Sequence, residues 1–295
     1  AAHPGPSGWD RFGGWADGPD LGPSEHFRVQ KVDGKWWLVD PDGHLFFSHG
    51  IVRVHPSCSV TPLHGKTMPS RRFMVEDLPS EGDSLYRFHF TNDKLLLPYY
   101  ERWQEDSTFD FSSANIYRKY GPQYRQIWSE LAHRRLRSWG MNTIANSSDA
   151  DICHMSRTPY IDRFDVRSEP IAGAEGAWFP IMDPYDSSFR QAVEQNLRER
   201  QYEIDDPYNI GFFVDNEIRW GDATHAARCV VSAPETQAAK IRMREFLRER
   251  YGRPVEPSQA SEADLKDFNA EIIDTYYRVI RESFDSLAPG VLYMG

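Results

Sequence analysis

The sequence lacks the features that mark membrane-spanning and nucleotide-binding proteins. Its 295 residues contain no run of about 18 apolar residues, the length that a membrane-spanning helix requires. No GxGxxG follows a first strand and no GxxxxGK[ST] occurs, so both glycine-rich signatures of phosphate binding are missing. The first ten residues also lack the basic head and apolar stretch of a secretion signal. We therefore predict no membrane span and no nucleotide cofactor.

Positive charge is in short supply. Lysine and arginine total 34 against 44 aspartate and glutamate residues, which gives a net charge of -10. A nucleic-acid-binding protein presents a basic face that displaces counterions from phosphate. The densest basic stretches, residues 133–137 and 242–250, are interleaved with apolar residues and are typical of solvated helix faces. The charge balance therefore predicts no nucleic-acid partner.

Cysteine is also scarce. Cys58, Cys153 and Cys229 are an odd number at wide spacing, which excludes a framework of paired disulfides. His55 and His64 lie near Cys58, but their spacing matches no common zinc pattern. We therefore predict no metal site and no cofactor.

Aromatic residues, in contrast, are abundant. They make up 14% of the chain, with nine Trp, fourteen Tyr and seventeen Phe. Several, including Trp178, lie in segments rich in glycine and proline, where burial in a core is less automatic. Aromatic faces in loops suit flat, partly apolar ligands such as sugar rings. Trp178 is therefore a candidate for substrate binding.

Strands and helices alternate along the chain after an irregular lead-in at residues 1–33 and a long insertion at about 55–123. Helical periodicity covers 124–139, 187–201, 235–251 and 262–287, and short apolar segments cover 34–54, 141–146, 159–166, 209–217 and 291–295. This alternation is typical of a parallel sheet with helices outside. Polar residues follow the strands, where the active sites of eight-stranded barrels are built. We predict an α/β fold, a (β/α)8 TIM-type barrel.

The strand count falls short of a barrel. About five barrel strands are recognisable, whereas closure takes eight, and an uncovered edge strand favours aggregation. The sequence therefore predicts a barrel truncated after about the fifth strand, in which 34–295 form the first part of a longer catalytic domain.

The strongest chemical signal is Asn216-Glu217, which ends the apolar segment 209–217. A carboxylate at the end of a buried strand is costly to desolvate unless a site uses it. Partial burial favours the protonated form of a glutamate, which then acts as a general acid. The alternative is an exposed glutamate after a strand, or one paired with Arg219. The residues alone leave both interpretations open.

A family resemblance favours the first interpretation. The segment IGFFVDNEIRWGD resembles the acid/base strand of the β-agarases of glycoside hydrolase family 50, which are retaining (β/α)8 hydrolases of clan A. Similar segments follow the family order: GKWWLVDPDGHLFFSHGI resembles the first strand, TPLHGKTMPSRRFMVEDLP the next loop, WGMNTIANSSD the second strand, and APGVLYMG the fifth. The resemblance thus runs from about residue 34 to the end.

The resemblance implies roles for individual residues. Glu217 would be the general acid/base and Asn216 its neighbour that binds a sugar hydroxyl. The same likeness makes Trp220 a sugar-facing aromatic, and it places further candidates for substrate binding in the loops after the first and second strands: His49, Asn146 and Asp149. Ser147 and Arg219 depart from residues frequent in the family, which leaves the substrate preference near the cleavage point open.

A retaining mechanism needs a second carboxylate about 5–5.5 Å from the first. In this clan that nucleophile ends the seventh strand, so the resemblance implies that it lies beyond the end of this chain. We expect the 295-residue chain to be inactive alone.

The resemblance implies retaining hydrolysis of β-galactosidic links in an agarose-type galactan. No cofactor or metal is required by that chemistry, and the expected partner is a galactan polysaccharide or oligosaccharide. Because members of the family commonly act outside the cytoplasm, we expect a periplasmic or secreted protein. Two alternatives stay open: another clan-A enzyme, such as an exo-β-galactosidase, and a non-catalytic galactan-binding protein.

Overall fold

The computed structural model describes residues 3–58, 60–65, 71–90, 105–176 and 178–295. In chain order its strands are β1 (Arg28–Val32), β2 (Lys35–Val39), β3 (Leu45–Phe46), β4 (Gly50–Ile51), β5 (Val60–Gly65), β6 (His89–Phe90), β7 (Glu105–Asp110), β8 (Thr143–Ile144), β9 (Tyr160–Phe164) and β10 (Asn209–Val214). Its α-helices are α1 (Phe111–Tyr120), α2 (Tyr124–Ser138), α3 (Ala150–Cys153), α4 (Ser187–Glu199), α5 (Gln201–Asp205), α6 (His225–Ser232), α7 (Ala238–Tyr251) and α8 (Glu262–Leu287).

The chain folds as two compact units. The first unit comprises Ala1–Asp17 and Phe47–Tyr160, and the second comprises Gly18–Phe46 and Ile161–Gly295. None of the helices within the described ranges is long and apolar enough to cross a membrane.

In the first unit, parallel pairing joins β4 to β8, with Gly50 opposite Thr143. A Cβ atom on Gly50 would lie 1.8 Å from the carbonyl oxygen of Thr143, so only glycine fits at this position. The end of β8 pairs in parallel with the start of β9, where Ile144 lies opposite Tyr160. The helix predicted before β8 is present as α2, and Gly140 follows it with a φ of +73°.

The described part of the insertion at about 55–123 contains a sheet as well as short helices. Strands β5, β7 and β6 form an antiparallel sheet in that order. Leu63, Leu85, Phe88 and Phe109 form a buried cluster beside α1. The sequence prediction missed this sheet because its pairings join segments about 20 to 50 residues apart in the chain.

In the second unit, β1, β2 and β3 form an antiparallel sheet around a tight turn in which the Gly43 N–H donates to the Asp40 carbonyl at 3.0 Å. The turn at residues 40–43 joins β2 and β3 as a hairpin. One expectation changes, since β1 lies within the segment 1–33 that was expected to be irregular. Strand β3 ends at Phe46, and the next residue, Phe47, is 74% exposed.

The main core of the second unit lies between β10 and the helices α4 and α8. Its largest buried side chains are Phe164, Phe189, Phe212, Tyr276 and Phe284. The predicted helices are confirmed as α4, α7 and α8, and Asp186 caps α4 by accepting a hydrogen bond from the Ser188 N–H at 2.8 Å.

Strand β10 lies beside β9 in the second unit, and on its other side the predicted last strand contributes one parallel bridge, Phe212 to Tyr293. Gly211 allows this approach, since a Cβ atom there would lie 2.4 Å from the Leu292 carbonyl oxygen. The predicted α/β class is therefore confirmed, with parallel pairing in both units. A closed eight-stranded barrel is not shown in the part of the chain that the structure describes.

Candidate active site

The turn after β10 carries Glu217, which the sequence singled out, and Asp215, which it did not. Asp215 follows the buried end of β10 with a φ of +61°, and Glu217 has a φ of +52°. Aspartate adopts this left-handed conformation more readily than most residues, whereas glutamate does so rarely. Such conformations cost on the order of 1–3 kcal/mol and occur preferentially at functional sites.

Asp215 is the fixed point of this turn. Its Oδ1 accepts a hydrogen bond from the Val166 N–H at 2.8 Å, and its Oδ2 accepts one from the Tyr276 hydroxyl. The Arg167 guanidinium lies 3.5 Å from Oδ1. Burial raises the pKa of the Asp215 carboxyl, and the hydrogen bond from Tyr276 opposes that rise. The carboxylate therefore ties β10 to the segment after β9 and to α8.

Glu217 points away from that core. Its Oε2 accepts a hydrogen bond from the Trp178 indole N–H at 2.6 Å, and Oε1 has no partner among the described residues. The Glu217 side chain is exposed and not partly buried, which is the environment of the alternative that the sequence left open. The apolar strand ends at Val214, and the left-handed residues then lead the chain out of the core.

Trp178 and Asn216 lie beside Glu217. All three line a cavity of about 20 Å³, together with Phe179 and Tyr276. This cavity is close to the smallest that holds one water molecule, about 10–15 Å³. A sugar ring does not fit inside it, so only the exposed side of the Trp178–Glu217 pair offers room for a larger ligand. Trp178 is 46% exposed there.

Trp220 lies three residues beyond Glu217 and is half-buried. Its ring packs edge-on against Tyr276, with the ring centroids 5.2 Å apart, and tilted against Tyr277 at 6.1 Å. Trp220 thus stabilises the helix residue that holds Asp215. Its predicted contact with a sugar stays a prediction.

The remaining candidates, His49, Asn146 and Asp149, belong to the first unit. The exposed imidazole of His49 donates from Nδ1 to the Gly140 carbonyl at 3.0 Å. The Asn146 carbonyl accepts a hydrogen bond from the Arg53 N–H at 3.2 Å. These contacts hold the ends of β4 and β8 in place.

Asp149 is engaged more fully than His49 or Asn146. Its carboxylate caps α3 by accepting from the Asp151 N–H at 3.1 Å. Its Oδ2 also lies 3.7 Å from Nε2 of His55, and it forms an ion pair with Arg125 at 3.8 Å. Its known contacts are therefore structural ones of the first unit.

The structure adds three residues that the sequence did not single out, Asp215, Tyr276 and Arg167. Tyr276 was hidden within the apolar periodicity of α8, which is typical of a core position. Burial and the neighbouring Asp215 raise the pKa of Tyr276, so its hydroxyl stays protonated and donates. Both carboxylates of the turn thus accept hydrogen bonds from described residues, Asp215 from Val166 and Tyr276 and Glu217 from Trp178.

No family model matches the chain. Among curated proteins, the β-agarase B of Vibrio sp. (strain JT0107) is 32% identical over 266 residues, which cover 81% of this chain and 28% of that protein. The β-agarase A of the same strain is 25% identical over 218 residues, covering 68% of this chain and 20% of that protein. The chain thus spans less than a third of the length of the curated relatives it matches.

Solved structures of similar fold cover the chain almost completely. PfGH50B and the agarase AgWH50C both give a TM-score of 0.83 at 23% identity, covering 99% and 100% of this chain and 48% of each of theirs. An exo-β-agarase gives a TM-score of 0.82 at 20% identity and covers 98% of this chain and 49% of its own. At these identities the likeness establishes the fold.

Proposed function

The chain belongs to the β-agarases of glycoside hydrolase family 50, and from this premise we propose that the full-length protein hydrolyses β-galactosidic links in an agarose-type galactan. The observation that carries the proposal is Glu217. It follows a buried strand, adopts a strained left-handed backbone and presents an exposed carboxylate held by one indole donor. Strain of this kind at a polar residue supports a functional role.

In the proposed mechanism Glu217 acts twice. As a carboxylic acid it gives its proton to the glycosidic oxygen, while a second carboxylate attacks the sugar carbon and forms a glycosyl-enzyme. As a carboxylate it then takes a proton from water, which attacks the same carbon and releases the sugar with its configuration retained. The Trp178 N–H fixes Oε2 and leaves Oε1 to carry the proton.

Asn216 adds a hydrogen bond to a sugar hydroxyl next to the reacting carbon. Such a contact strengthens as positive charge develops in the transition state. Trp178 offers an exposed aromatic face beside Glu217 for a sugar ring. We assign Trp220, His49, Asn146 and Asp149 to further substrate contacts on the strength of the family resemblance.

The second carboxylate and the closed barrel belong to the full-length protein in this proposal. We place the nucleophile outside these 295 residues because the chain covers about half of the structures that share its fold. The same argument predicts that the chain alone does not turn over substrate. Following the family, we place the full-length protein in the periplasm or outside the cell.

The test compares the full-length protein with the 295-residue chain on two substrates, agarose and an aryl β-galactoside. We expect the full-length protein to release reducing ends from agarose and the chain alone to release none. Activity confined to the aryl galactoside would indicate an exo-β-galactosidase instead. Binding of agarose without turnover by the full-length protein would indicate a non-catalytic binding protein.

A further inference from the structure

A cavity of about 230 Å³ lies in the first unit, among residues that none of the proposed chemistry uses. Four segments build its walls: the N-terminal residues around Trp9, the second half of α2, residues 141–142 and residues 157–159. Its volume is below the range of roughly 300–1,000 Å³ that holds drug-sized ligands. A ligand of this cavity is therefore small.

The charge of the cavity wall is opposite to that of the whole chain. Four arginines line it: Arg11, Arg134, Arg137 and Arg157. No aspartate or glutamate occurs among the described lining residues, although the chain carries a net charge of -10. Clustered guanidinium groups with few carboxylates raise the local concentration of anions.

Two of these arginines have no carboxylate partner among the described residues. Within that part of the chain, Arg137 donates to backbone carbonyl oxygens alone, to that of Trp9 at 3.4 Å and to that of Asp10 at 3.3 and 3.4 Å. The exposed side chain of Arg134 forms no hydrogen bond or ion pair with any described residue. Arg157 differs, since it pairs with Glu130 at 2.5 Å. Two guanidinium groups on one face of α2 are thus available to an oxyanion.

The wall behind them is fixed and uncharged. His133 is 4% exposed, and its Nε2 donates to the Ile152 carbonyl at 3.1 Å because a carbonyl only accepts. Its Nδ1 consequently accepts from the Thr158 hydroxyl at 2.9 Å. Burial lowers the pKa of His133, which keeps the imidazole neutral. The positive charge of the cavity therefore belongs to its arginines.

An aromatic ring completes the site. The Arg137 guanidinium carbon lies 5.8 Å from the centroid of the Trp9 ring, so the indole helps to orient the guanidinium. Arginine binds tetrahedral oxyanions through paired N–H donors, as it binds carboxylates. We propose that this cavity binds a sulfate group through Arg134 and Arg137, either as the free ion or as the sulfate ester of a sugar. The proposal does not depend on the hydrolase activity.

Isothermal titration calorimetry on the 295-residue chain tests the proposal. The titrants are sodium sulfate, galactose 6-sulfate and galactose, each in sodium chloride buffer of matched ionic strength. We expect saturable heat with the sulfated titrants and none with galactose. Equal affinity for sulfate and for galactose 6-sulfate would mean that the site recognises the sulfate group alone. Tighter binding of galactose 6-sulfate would mean that the sugar also contacts the site.

Matched variants identify the arginine responsible. Arg134→Gln should weaken sulfate binding about tenfold, the effect of losing one hydrogen bond to a charged group. Arg134→Glu should abolish it. Arg135→Gln, an exposed neighbour on α2 outside the cavity, should leave it unchanged. The proposal is overturned if the wild type gives no saturable heat, or if Arg134→Gln and Arg135→Gln bind alike; circular dichroism verifies that each variant is folded.

Discussion

Polar turns follow a buried strand in both units, and they use their carboxylates differently. After β8 in the first unit, Asp149 caps α3, lies 3.7 Å from His55 and pairs with Arg125. After β10 in the second unit, the equivalent structural task falls to Asp215, which accepts from Val166 and Tyr276.

The second turn therefore contains a carboxylate, that of Glu217, which is not needed to hold the turn. Because Asp215 fixes the turn, Glu217 stays exposed, and within the described ranges a single donor holds it. The comparison teaches that an acidic residue after a strand is insufficient to indicate catalysis. The second turn differs from the first because the carboxylate of Asp215 stabilises the turn, whereas the carboxylate of Glu217 remains exposed.

The largest effect is expected at Glu217. In the full-length protein Glu217→Gln should lower kcat on agarose by about 10²- to 10⁴-fold, the typical contribution of a general acid/base. Asp149→Asn should chiefly raise KM, because we assign Asp149 to a substrate contact and not to proton transfer. Glu199→Gln, at the exposed end of α4, is the control that should leave both constants unchanged. A larger loss of kcat in Asp149→Asn than in Glu217→Gln would reverse the comparison.

Tyr276→Phe tests whether Asp215 is structural. The change leaves a buried carboxylate oxygen without its donor, so the free energy of unfolding should fall by about 1–3 kcal/mol. Tyr277→Phe is the matched neighbour on α8, whose hydroxyl has no hydrogen bond to a described residue, and it should cost less than about 0.5 kcal/mol. Urea denaturation measures both. Equal losses would mean that the contact with Asp215 contributes nothing.

Trp178→Phe keeps an aromatic ring beside Glu217 and removes the one hydrogen-bond donor to Glu217 among the described residues. We expect kcat on agarose to fall about tenfold, equivalent to about 1.4 kcal/mol, with KM within a factor of two. The reason is that Glu217 loses its orientation while the ring contact to substrate persists. If KM rose and kcat were unchanged, Trp178 would bind substrate without positioning Glu217.

The two units should also respond to pH in opposite directions. Burial lowers the pKa of His133 in the first unit, so its contribution to stability is present above its unfolded pKa of about 6.5 and is lost as the pH falls through the folded value. Burial raises the pKa of Asp215 in the second unit, so its contribution is present below about pH 3.9 and is lost as the pH rises through the folded value.

Unfolding free energies measured between pH 5 and 7.5 isolate the first of these effects. The difference between the wild type and His133→Gln should shrink as the pH falls, since the variant does not titrate. His225→Gln, in α6 of the second unit, serves as the control. A difference that is constant with pH would show that His133 does not titrate on unfolding.

Sequence patterns predicted the helices and strands whose formation depends on residues close together in the chain. Helix α4 was expected at 187–201 and spans Ser187–Glu199, because its apolar residues recur at helical spacing over a long segment. The antiparallel sheet of β5, β6 and β7 was missed, since its pairing depends on residues far apart in the chain.

Some residues of the site could likewise be identified from local sequence, whereas others follow only from the fold. Asn216 and Glu217 were identified from a strand that ends in polar residues, a local signal. Trp178 was identified as an aromatic residue in a loop, but its hydrogen bond to Glu217 spans 39 residues and follows only from the fold. Tyr276 was invisible because a tyrosine at an apolar position of a helix is typical of a core.

The most direct test of the central claim is azide rescue of Glu217→Ala in the full-length protein, assayed on an aryl β-galactoside with a good leaving group. Such a substrate needs no acid for the first step, so the glycosyl-enzyme accumulates for want of a base to activate water. We predict that azide, which needs no base, restores turnover and yields a β-galactosyl azide of retained configuration. If the variant turned over substrate at the wild-type rate without azide, or if it formed an α-galactosyl azide, the assignment of Glu217 as the acid/base of a retaining hydrolase would be contradicted.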